Sequence, residues 1–98
     1  MIKTILQAGQ IVDIATIGDN QYFCVVDNLE LNPEDNKREL YNGSNNELIN
    51  ASINRYTVNS TMIILYDPSL CLTDNFANFF ECIKYSIILT ENNLQPLI

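Results

Sequence analysis

Thr73-Asp74-Asn75-Phe76-Ala77-Asn78-Phe79-Phe80-Glu81-Cys82-Ile83-Lys84-Tyr85-Ser86-Ile87 is the stretch whose reading decides the fold of this chain. Phe76, Phe79, Phe80, Ile83 and Ile87 recur at helical spacing, while Asn75, Asn78, Glu81 and Lys84 lie off that stripe. Thr73 or Asp74 supplies an N-cap, Glu81 and Lys84 are spaced to pair, and Asn92-Asn93 ends the segment before Pro96. The spacing predicts a long amphipathic helix with one apolar side to cover.

The segments before it read as strands. Ile2–Leu6 alternates up to a stop at Ala8-Gly9. Ile11–Ile17 and Gln21–Asp27 are rich in β-branched and aromatic residues, and Gly18-Asp19-Asn20 between them tolerates the left-handed backbone of a hairpin turn. The second arm carries Tyr22, Cys24 and Val26 on one face and Phe23 and Val25 on the other, the pattern of a central strand. Asn32-Pro33-Glu34-Asp35 reads as a helix start, giving one or two exposed turns or an ordered loop over Pro33–Tyr41 that Asn42-Gly43 stops. Glu47 to Val58 returns to strand, with a helix over Leu48–Ile53 as the alternative. Thr61–Tyr66 is a further strand, ended by Asp67-Pro68-Ser69 because proline cannot donate to a ladder.

Residues 1–98 are therefore expected to form a single small α+β domain. Its antiparallel sheet of about four or five strands carries the C-terminal amphipathic helix on one face. A chain of 98 residues has room for one core. With 47% hydrophobic residues and only 17% charged, it is a folded domain and not an acidic disordered tail.

Twelve acidic residues stand against five basic ones with no histidine, a formal charge of −7. Without histidine, serine triads, Cys–His dyads and most zinc sites drop out together. The carboxylates are scattered over predicted turns and helix ends, where capping and solvation are their ordinary roles. Cys24, Cys71 and Cys82 are an odd set without CxxC spacing, which points to reduced, mostly buried thiols in a reducing compartment. Gly9, Gly18 and Gly43 are isolated and make no phosphate cradle, and the segment from Asp27 to Asn32 lacks the spacing of a calcium loop. The longest apolar run, Met62 to Leu65, is far too short to span a bilayer, and no secretory leader is evident. The expectation is a cytoplasmic, non-enzymatic protein with no catalytic residues, metal site or cofactor.

Five dispersed basic residues do not make a nucleic-acid interface, since such binding rests on clustered Lys and Arg. The negative charge suits a protein partner with a basic surface. Between Asp27 and Glu39, five acids (Asp27, Glu30, Glu34, Asp35 and Glu39) face two bases (Lys37 and Arg38), a net of −3. With Tyr41 as an aromatic anchor, those five acids form the candidate partner-binding set; the alternative is a solvated stretch that keeps the domain soluble. The sequence is read as a small acidic inhibitor, an immunity protein that neutralises a bacterial toxin such as a cationic nuclease or other nucleic-acid enzyme. The likeness to immunity proteins is one of class and covers no motif. Two alternatives stand beside it: a phage anti-defence protein, anti-CRISPR-like or a nucleic-acid mimic, and a non-catalytic structural subunit that oligomerises through a helix edge at Ile88 and Leu89. A homodimer is compatible with the marginal stability of so small a domain.

Overall fold

The β-branched and aromatic runs become strands, and so does the stretch that reads as a helix. A computed structural model describes residues 1–27, 38–86 and 93–97. Among these the strands are β1 (Ile2–Leu6), β2 (Ile11–Ile17), β3 (Asn20–Val25), β4 (Leu40–Asn42), β5 (Leu48–Ile49), β6 (Ser52–Val58), β7 (Met62–Asp74), β8 (Phe79–Ser86) and β9 (Leu94–Pro96). All pair antiparallel in one sheet ordered β5-β4-β7-β8-β3-β2-β6-β9, with β1 also on β7.

The described residues contain no helix, so the fold is all-β and the expected α+β architecture is wrong. Thr73 and Asp74 end β7, Asn75 to Asn78 turn the chain, and Phe79 to Ser86 run back along β7 as β8. Read as a strand, the apolar residues of that stripe divide between the two faces of the sheet. Phe80 and Cys82, two apart, are both fully buried, whereas Phe79 and Tyr85 are exposed. Aromatic and β-branched residues favour that pleated arrangement, and the segment has few strong helix formers. Glu81 and Lys84 do not pair as expected, since no ion pair among the described residues joins them.

Two other expectations need correction. Leu40 and Tyr41, the apolar end of the expected short helix, lie in β4, while residues 33–37 fall outside the described residues. Ile88 and Leu89 fall outside them as well. Pro68 does not end its strand, because β7 bulges there: the β8 ladder jumps from Asp67↔Cys82 to Cys71↔Glu81. The other edge of β7 is also free at Pro68, since β1 pairs as far as Tyr66 and β4 begins at Leu72. No ladder asks Pro68 for the N–H it lacks. Asp67 Oδ1 fixes the bulge by accepting from the Ser69 amide at 3.0 Å and its hydroxyl at 2.6 Å. The same bonds hold the Asp67 carboxyl below its usual pKa.

The Gly18-Asp19-Asn20 hairpin and the central place of β3, between β2 and β8, agree with the sequence. Because β2 and β3 are covered on both faces, the molecule has two apolar clusters. Leu6, Val12, Ile14, Phe23, Val58, Met62, Ile64 and Leu94 form one, and Ala15, Leu40, Leu72 and Phe80 form the other. The bulged β7 serves both, giving Met62 and Ile64 to the first and Leu72 to the second. At Gly43 a side chain would not fit, since a Cβ there would lie 2.8 Å from Cys71 Sγ and 3.0 Å from its carbonyl oxygen.

Candidate functional site

Asp13 sits in mid-strand between Val12 and Ile14, and all three are buried. Alternation turns Asp13 toward the same face as Ala15, the side of the second apolar cluster, where a lone carboxylate would be costly. Register supplies its partner: Arg55 on β6 lies directly opposite. Arg55 donates from Nε to Asp13 Oδ1 at 2.8 Å and from Nη2 to Oδ2 at 3.1 Å. Arg38, just ahead of β4, donates from Nη1 to Asp13 Oδ2 and from Nη2 to Asp74 Oδ2, and its Nε reaches the same Asp74 oxygen at 2.9 Å. The Arg38 guanidinium also lies 5.1 Å from the Phe80 ring centre, within cation–π range.

Asp74 closes the chain of charges and shapes the next turn. Its Oδ1 accepts from the amides of Phe76 at 2.9 Å and Asn78 at 2.8 Å. The order is Arg55–Asp13–Arg38–Asp74, two cations and two anions, with no side chain more than 4% exposed. Guanidinium groups stay charged at any working pH, and both carboxylates are occupied by donors. The quartet therefore offers no free acid or base. It cross-links β2, β6, the entry to β4 and the end of β7.

The quartet also changes how the net charge is read. It consumes two of the five basic residues and two of the twelve acidic ones. Ten acids and three lysines remain outside it, so the whole −7 belongs to the rest of the molecule. Arg38, counted in the sequence as offsetting the acids between Asp27 and Glu39, is turned inward.

Of the six expected partner-binding residues, Asp27, Glu39 and Tyr41 are described, while Glu30, Glu34 and Asp35 lie outside the described residues. Glu39 and Tyr41 are brought together: the exposed Glu39 carboxylate accepts from the Tyr41 hydroxyl at 2.8 Å, which raises the phenol pKa. Asp27 is exposed and lines a cleft of about 90 Å³ together with Cys24, Arg38, Arg55 and Asn78. Burial pushes the Cys24 thiol in that wall up to about 11, with Arg38 acting in the opposite direction. Cys24, Cys71 and Cys82 are all free thiols.

Sequence reasoning missed Asp13, Arg55 and Asp74 as a unit. The available signal was a charged residue inside an apolar strand, Ile11-Val12-Asp13-Ile14, because such a residue is buried only when paired. It also missed Phe76 and Phe79, which as helix-stripe residues would be covered but are 40% and 61% exposed. Among the described residues no three Cys, Asp or Glu side chains are grouped to hold a metal, and no helix is long and apolar enough to cross a membrane. No protein-family model, curated protein or solved structure matches the chain.

Proposed function

We propose that this chain is a non-catalytic acidic binding protein of the immunity type, which occupies the cationic surface of a nuclease or other nucleic-acid enzyme. The observation that carries the reading is the inward placement of Arg38 and Arg55, which leaves ten acids against three lysines outside the quartet. A molecule charged in this way is drawn to a basic cleft and repelled by nucleic acid itself. The continuous hydrogen-bonded sheet supports the same reading, since a preordered surface loses little entropy on binding. Three unlinked thiols fit action in a reducing cytoplasm.

Co-expression with the product of the adjacent gene tests this function. The expected result is relief of that product's toxicity, together with a purified complex whose affinity falls as salt rises. Undiminished toxicity with no complex at low salt overturns the reading.

A further inference from the structure

Directly opposed residues in antiparallel strands project to the same face. Leu48 is opposite Tyr41, Tyr41 is opposite Thr73, and Thr73 is opposite Phe79, so one row of side chains crosses β5, β4, β7 and β8. Leu48 is 58% exposed and Phe79 61%, while Tyr41 and Thr73 between them are half-buried. Two carboxylates share this face. Glu39 is bound to the Tyr41 hydroxyl, and Glu81 follows Phe79 by two positions on β8. Glu81 Oε2 is buried without any hydrogen-bond partner, and desolvation raises its carboxyl pKa. Lys84 is the residue that the β7–β8 register steps over, between Leu65↔Tyr85 and Tyr66↔Ile83, and Lys3 pairs with Leu65 at the other end of β7.

The tip beside this row is tied to the fold by hydrogen bonds. Phe76 lies in the β7–β8 turn, whose amides are bound by Asp74, and Asp74 is in turn held by buried Arg38. Ala77 in that turn has φ +65°, a left-handed conformation that a non-glycine residue adopts at a cost. Exposed aromatic side chains on a preordered tip, next to an unsatisfied carboxylate, are what a binding surface requires and what a bare solvent face does not.

We propose that the Leu48–Tyr41–Thr73–Phe79 row, with Glu39 and Glu81, is the docking surface for a protein that presents arginine or lysine side chains around an apolar spot. This rests on the acidic-inhibitor reading and gives it a location. Charge complementarity selects the occupant. A second copy would set Glu39 and Glu81 against like charges, whereas a basic protein brings opposite charge to both carboxylates and covers Phe79.

The test is an NMR amide titration at low salt with two synthetic peptides of equal positive charge, one alternating Arg and Leu and the other alternating Lys and Gly. The expected result is shifts at Tyr41, Thr73, Phe79 and Glu81, with the Arg–Leu peptide bound about tenfold tighter, the effect of one aromatic anchor. Phe79→Ser, at an exposed position, should abolish that preference. Glu81→Gln should weaken peptide binding while raising the melting temperature of the free protein, a split that a purely structural role would not give. Equal binding of both peptides, or shifts centred on Asp27 and residues 28–37, overturns this face but leaves the acidic-inhibitor reading standing. Binding of neither peptide overturns both. Concentration-dependent shifts at the row without peptide would assign it to a second copy and overturn the proposal.

Discussion

Asp13 shows how one buried charge can fix the positions of several elements. Removing a carboxylate and a guanidinium from water costs several kcal/mol each, and only close, well-satisfied pairing recovers it. Asp13 accepts from both arginines, so its loss would strip buried Arg55 of the carboxylate it is bound to and leave Arg38 with Asp74 alone. Asp13→Ala is expected to destabilise the fold by about 3–5 kcal/mol, read as a lowered urea midpoint. Lys84→Ala, at an exposed position, should stay within about 0.5 kcal/mol. Cys24 gives a pH test nearby. Its thiol is shifted from 9.0 to about 11, chiefly by burial, so the folded state retains a proton that the unfolded chain releases earlier. The unfolded state then binds fewer protons, and stability falls as pH rises from 9 to about 11. At pH 8 the thiolate population of Cys24 should be roughly a hundredfold below that of an unfolded thiol. Iodoacetamide labelling followed by mass spectrometry should show Cys24 protected to that degree in native protein and reactive in urea.

At the scale of elements, the β2–β3 hairpin was legible because both its signals are local: a turn tripeptide, Gly18-Asp19-Asn20, and flanking β-branched runs. β8 was not legible, since Phe76, Phe79, Phe80 and Ile83 satisfy a helical period, and as a strand they divide between the two faces with no clean alternation to announce it. What selects the strand is the partner on each side, β7 and β3, and those contacts are distant in sequence. β4, β5 and β9 have two or three residues each and exist only through their neighbours. Pro68 misled for a related reason, because the gap between β1 and β4 that tolerates it belongs to the assembled sheet. The candidate site divides in the same way. Charge and aromaticity name Glu39 and Tyr41 as candidates, but the row joining Tyr41 to Phe79 depends on strand register. The β7–β8 turn carries the prediction at this scale. Ala77→Gly should relieve the strain at φ +65° and, after the added freedom of glycine in the unfolded chain, raise stability by up to about 1 kcal/mol. Ala77→Val should lower it. Chemical denaturation of the pair reads both, and a loss of stability in Ala77→Gly would show that the turn is unstrained.

For the whole molecule, the two charge populations respond differently to salt. The quartet is neutral in sum and shielded from solvent, so added ions should affect it little. Outside it the −7 is spread over a body with extents of 34 × 31 × 22 Å. In dilute salt the screening length is about 30 Å, comparable to the molecule, so most like-charged pairs still repel one another. Among the described residues every ion pair belongs to the quartet, so salt has no surface bridges to weaken there. Repulsion is then the main term that ions can change, and screening it favours the compact state. Raising sodium chloride from about 0.01 M to about 0.3 M should shorten the screening length severalfold. The melting temperature should rise by roughly 4–8 °C, the shift that about 1 kcal/mol produces in a domain of this size. Affinity for a cationic partner should fall over the same range, because the charge that strains the free protein is the charge that attracts the partner. Melting curves and binding isotherms on the same samples should move in opposite directions. A melting temperature that stays flat or falls with salt would mean that the exterior acids are already compensated and would remove the electrostatic basis of the proposed function.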